Sequence, residues 1–155
     1  MTVPVKLSDI VEGLEFQSDE HFSYLNMITG EVVSVTTEEL RAAEEDESLE
    51  DFPAWQHDAL RIAGEILETD HYLPLPTKFA IHAYHIMERF CFSVEDADIR
   101  DDLCDAIRGR GAFRRFKDRI QAYRIAEAWY RYRDAALRDI AIAWCEEHGL
   151  RYTET

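Results

Sequence analysis

The tripeptide Gly109-Arg110-Gly111 constrains this chain more than any other feature. Helical periodicity runs up to it and resumes directly after it. Two glycines around one residue allow the positive φ angles that stop one helix and let the next begin. Upstream, Ile99, Leu103 and Ala106 recur at core spacing, and Glu95, Asp96, Asp98, Asp101, Asp102 and Asp105 fill the remaining positions. Downstream, Phe113, Phe116, Ile120 and Tyr123 fall within one arc of about 80°, the width of a core-facing stripe. The spacing predicts an acidic helix over 96–107 and a basic helix over 111–123, joined by a tight corner.

The flanking sequence extends this helical reading. Pro53 suits a first helical position, with the helix running to about Glu68. The segment "YLPLPT" cannot be helical, because each proline removes a donor and restricts the residue before it. A helix from Lys78 to about Val94 follows, and the last one spans Ile125–His148 and stops at Gly149. Ahead of these, Leu7, Ile10, Val11 and Leu14 mark a short helix with Gly13 near its end. "HFSYLNMITGEVVSV" reads as two strands about a Thr29-Gly30 turn and is the only strand signal. Thr36 or Thr37 ahead of Glu39 is a helix-capping pattern, followed by an acidic, solvated run. With 155 residues the chain can bury a core without disulfides or metals. The predicted fold is α+β and predominantly helical: an N-terminal β-hairpin followed by a bundle of four to five helices, in a single compact domain over residues 1–155.

Charge bears on what the corner can do. Residues 108–124 hold seven cations and one acid within a chain of formal net charge -15. So acidic a molecule repels polyanions as a whole, which excludes general affinity for nucleic acid or anionic membranes but leaves room for a local site. Residues 95–124 carry 8 bases and 7 acids, so the first expectation is pairing across the corner. Arg114, Arg115, Lys117, Arg119 and Arg124 spread around their helix rather than sharing one face.

The other constellations are weaker. His82, His85, Glu88 and Cys91 follow at steps of three, which rotate around a helix and cannot all reach one ion. No metal or cofactor is expected. On the same helix Phe79, Ala83, Ile86, Met87, Phe90 and Val94 form the core arc, leaving Ile81 and Phe92 on the polar side. Those two are either covered by a neighbouring helix or part of a partner-binding surface. Arg133 falls inside the apolar arc of the last helix, between Ile140 and Trp144, and must find an anion or snorkel past the aromatics; a pocket shared with Arg110 is the sharper possibility. Cys91, Cys104 and Cys145 read as free thiols in a reducing compartment. The chain has no signal-peptide pattern and no apolar run of membrane-spanning length, so a cytoplasmic protein without membrane association is expected. No nucleophile elbow, phosphate-binding glycine loop or Cys–His pair assigns a catalytic residue.

"GRGAFRRFKD", with Trp129 and "AIAWCEEHGL" after it, resembles the signature of a family of small bacterial proteins of unknown function. "YLNMITGEV" is similar to that family's hairpin segment, with Asn26 where the family often carries an acid. The resemblance implies a compact bacterial domain and draws attention to the corner, but brings no chemistry with it. The functional expectation is a non-catalytic interaction or regulatory module. It would bind a protein partner through Ile81 and Phe92, or through Arg110, Arg114, Arg115, Lys117 and Arg119. The alternative is RNA or another polyanion held at 108–124.

Overall fold

The computed structural model describes residues 3–154, and the chain divides into two compact units. One is built from residues 3–81 and 138–154, the other from residues 82–137.

In the first unit, β1 (Val5–Lys6) pairs in parallel with β5 (Tyr152–Thr153), with Val5 opposite Tyr152. Helix α1 (Leu7–Phe16) buries Leu7, Ile10 and Leu14 against a three-stranded antiparallel sheet. That sheet consists of β2 (His21–Asn26), β3 (Val32–Thr36) and β4 (Tyr72–Pro74), in the order β3-β2-β4. The expected hairpin is present, with Phe22 opposite Val35 and Tyr24 opposite Val33. Its turn rests on Asn26, whose side-chain oxygen accepts from the amides of Ile28 at 2.9 Å and Thr29 at 3.2 Å. An aspartate oxygen would serve this turn as well, but the Asn26 amide nitrogen also donates to the Tyr72 hydroxyl at 3.4 Å, which a carboxylate could not do.

Two expectations for this unit are corrected. The hairpin is not the only β-structure: the proline-rich segment supplies β4, with Leu73 opposite Leu25, and Pro74 is tolerated because β4 is an edge strand. Gly13, near the end of α1 as expected, is buried within it. A Cβ there would sit 2.8 Å from both Leu75 Cδ2 and Val32 Cγ1. Pro53 does not open the next helix directly: a 3-10 turn, Ala54–Gln56, intervenes before α3 (His57–Glu68). Between sheet and turn lies α2 (Thr37–Glu44). Thr36 caps it, accepting from the Glu39 amide while the Glu39 side chain accepts from the Thr36 amide.

The helix expected over Lys78–Val94 is broken at His82, which adopts a left-handed conformation (φ 55°, ψ 59°). The break leaves a single turn, α4 (Lys78–Ile81), followed by α5 (Ala83–Ser93). A helical wheel drawn through a left-handed residue loses its phase. Phe79, assigned to the core, is therefore 72% exposed, whereas Ile81, assigned to the polar side, is buried at 7%.

The second unit comprises α5, α6 (Ala97–Ala106), α7 (Ala112–Ala122) and the opening part of α8 (Ala126–Glu147). Asp96 caps α6 by accepting from the Asp98 and Ile99 amides. The core is aromatic. Phe116 stands edge-on to Trp129 at 4.9 Å and to Phe90 at 6.0 Å, and Phe90 meets Trp129 and Tyr132, each at 5.4 Å. Each such pair adds about 0.5–1.5 kcal/mol beyond the area it buries. Among the described residues, no helix is long and apolar enough to cross a membrane.

Candidate functional site

The corner between α6 and α7 is built as its glycines predict, with φ of 73° at Gly109 and 76° at Gly111. The last carbonyls of α6 and those of the turn have no partner within a helix, and Arg115 supplies one. Its Nε donates to the Ala106 carbonyl at 2.7 Å, and its two terminal nitrogens donate to the carbonyls of Arg108 and Arg110. A planar guanidinium offers several divergent donors at once, which a lysine cannot match. From the adjacent helix, Tyr84 adds a fourth tie, its hydroxyl donating to the Ile107 carbonyl at 2.8 Å.

Further along, α6 and α7 are joined by charge. Arg119 Nη1 lies 2.9 Å from both carboxylate oxygens of Asp102, and the Tyr123 hydroxyl donates to Asp102 as well. The Tyr123 hydrogen bond, seconded by Arg119, holds the Asp102 carboxyl below its ordinary value, and the same bond pushes the Tyr123 phenol up. Pairing across the corner is thus present, but Arg115 is spent on backbone carbonyls rather than on an acid. Arg108 only approaches Asp105, at 3.8 Å.

What remains is a smaller set of cations. Arg110, Arg114 and Lys117 are exposed and form no ion pair among the described residues. Arg114 and Lys117 are three apart on one face of α7, with Arg110 in the turn four residues before Arg114. Phe113, expected in the core stripe, is 42% exposed and sits one turn from Lys117. Its ring meets Tyr84, also 42% exposed, edge to face at 6.3 Å. Ala112, Phe116 and Ile120 form the buried stripe instead, with Tyr123 at its margin. The α7 N-terminus has no side-chain cap, since its N-cap is Gly111.

The other proposed site residues are not gathered here. Ile81 is buried, which removes it from any surface role. Phe92 is 64% exposed on α5, on the face that also carries His85 and Arg89. Arg133 is half-buried on α8 and already engaged within the fold. The His82–Cys91 series is scattered: His82 lies at the helix break, His85 is 3.5 Å from Glu88, and Cys91 is buried. Burial pushes the Cys91 thiol up to about 12, which makes it a poor nucleophile. Two contributions escaped the sequence reading. Tyr84 lies 23 residues before the carbonyl it ties, a distance no local pattern reveals. Arg115 looked like one more member of a charge run.

The sequence pattern of an uncharacterised protein family, UPF0158, matches residues 2–154. A stretch of 67 residues is 30% identical to the UPF0158 protein PA5073 of Pseudomonas aeruginosa, covering 43% of this chain and 44% of that relative. The match therefore spans less than half the length of that relative. No solved structure matches the chain.

Proposed function

The chain belongs to the uncharacterised family UPF0158, and on that premise we propose that it is a cytoplasmic bacterial interaction module, without catalytic activity, whose basic corner docks an acidic segment of a protein partner. The observation that carries this reading is the pairing of unused cations with exposed rings: Arg110, Arg114 and Lys117 beside Phe113 and Tyr84. Arg115 and the two glycines fix the backbone beneath them, so the surface is organised before a partner arrives, which lowers the ordering cost of binding. A protein segment fits the charge balance. Residues 82–137 hold 11 bases and 10 acids, whereas the rest of the chain holds 6 and 22. A short acidic segment meets the corner without bringing a long polyanion against the remaining carboxylates.

The exposure of Phe113 favours a second reading, RNA, since unburied rings near cations are what single-stranded bases stack on. One experiment separates the two. Fluorescence anisotropy would follow a labelled glutamate-rich peptide containing one tryptophan, and a labelled oligouridine, each titrated with wild type, Arg114→Glu and Lys117→Glu. Peptide binding lost in both variants supports the protein reading. Oligouridine binding that is lost in both and falls steeply with salt supports RNA. Binding of neither probe defeats both.

A further inference from the structure

A second surface, in the other compact unit, has the opposite chemistry. A groove of about 740 Å³ runs between the start of α2 and the 3-10 turn before α3, lined by Glu20, Glu38, Glu39, Arg41, Trp55 and Gln56 among others. At its floor lies Glu39, only 5% exposed. Its Oε1 accepts from the Thr36 amide at 2.9 Å and its Oε2 from the Gln56 side chain at 3.3 Å. Both donors are neutral, and among the described residues no cation comes within ion-pair distance of it. A carboxylate so nearly buried ordinarily has a cationic partner, because burial removes the water that would stabilise its charge.

Trp55 shares this lining. It is 79% exposed, more than any other large apolar side chain described, whereas Trp129 and Trp144 are each 6% exposed. Its turn is held by the Gln56 bond to Glu39 and by the Gln56 amide to the Pro53 carbonyl at 3.0 Å, so the backbone that carries the indole is fixed. Glu20 and Glu38 are exposed beside it and unpaired among the described residues; Asp19, also in the lining, is taken by Lys78 at 2.7 Å. Arg41 at the rim is the one opposing charge in the lining. An indole face with carboxylates around it attracts a cation by two separate terms, ring quadrupole and full charge.

We propose that this groove binds a basic peptide segment of a partner protein, one Arg or Lys lying on Trp55 and further cations meeting Glu20 and Glu38. A groove of this volume holds far more than one head group, which argues for a segment rather than a free amine. The proposal stands independently of the basic corner.

Hexa-arginine, free arginine amide and a Gly-Ser hexapeptide would be titrated at low salt by calorimetry, together with tryptophan emission, which reports on Trp55 as the solvent-facing indole. The expected result is saturable hexa-arginine binding that quenches or shifts the emission. It should weaken about fivefold in Trp55→Ala, less in Trp55→Phe, and by at least as much as in Trp55→Ala in the double variant Glu20→Gln, Glu38→Gln. The charge-matched control Glu44→Gln, Glu47→Gln, outside the groove, should leave it unchanged. Thermal melts establish that each variant is folded. Four results overturn the proposal: no hexa-arginine binding, a Trp55→Ala that binds like wild type, a control that weakens as much as the groove variant, or arginine amide binding as tightly as the hexamer.

Discussion

Arg115 Nε donates to the carbonyl of Ala106 at 2.7 Å, so a side chain of α7 completes the end of α6. The cation is structural, unlike Arg114 beside it, which is exposed and unpaired among the described residues. Arg115→Ala leaves carbonyls without donors and should cost about 1–3 kcal/mol in urea unfolding. Arg115→Lys should recover only part, whereas Arg114→Ala should stay within about 0.5 kcal/mol of wild type. Equal losses at 114 and 115 would reduce the arginine's role to charge alone.

The end of α7 carries a cost that glycine would remove. Ile125 bonds back to the Ile120 carbonyl at 2.9 Å and Arg124 to that of Gln121 at 3.1 Å, which places Arg124 in the left-handed position (φ 59°) of a Schellman motif. Glycine is the residue that adopts this conformation freely. Arg124→Gly should stabilise the protein by about 0.5–1 kcal/mol, read as a raised denaturation midpoint at unchanged slope. A lowered midpoint would mean that the arginine side chain contributes more than its backbone costs.

Two helical glycines should respond oppositely to the same change. Gly13→Ala drives a methyl to within 2.8 Å of Leu75 and Val32 and should destabilise by about 1–3 kcal/mol. Gly64, within α3, has open space where a Cβ would stand, so Gly64→Ala should stabilise by up to about 1 kcal/mol through helix propensity. Thermal unfolding of the two variants side by side checks the contrast, and shifts of the same sign would contradict it.

Asp102 sets an acid limb. Its folded carboxyl lies below the ordinary value, chiefly through Tyr123 and then Arg119. Its stabilising contribution is therefore complete above the unfolded value of about 3.9 and is lost as pH falls through the lower folded value. Carboxyl-detected NMR titration should find Asp102 protonating below the ordinary aspartate value and moving upward in Tyr123→Phe. No movement in that variant would assign the depression to Arg119 alone. Tyr123 is the mirror case: its raised phenol favours folding at lower pH, a contribution lost as pH climbs through its folded value.

The α+β, mostly helical class was readable because long segments kept a 3.6-residue period and the hairpin carried a glycine turn. What was not readable depended on partners far along the chain. The three residues of β4 are too few to display alternation, and they become a strand only because β2 offers Leu25 opposite Leu73. Val5 and Tyr152 pair from opposite ends of the chain, which no local pattern predicts. His82 takes a left-handed conformation that nothing in its residue type demands, and that single residue reversed the assignments of Phe79 and Ile81. At the corner, the joining of acidic and basic helices was legible from charge, and Arg119 with Asp102 bears it out. The division of labour among the arginines was not, because capping and ion pairing draw on the same residue type.

The pairing of β1 with β5 also orders events in time. Residues 82–137 form one uninterrupted stretch, complete as soon as position 137 has been synthesised, whereas the other unit waits for Tyr152 and Thr153 before β1 has its neighbour. β1 therefore stays unmatched while the whole of the 82–137 stretch is made, so it settles later than its place in the sequence suggests.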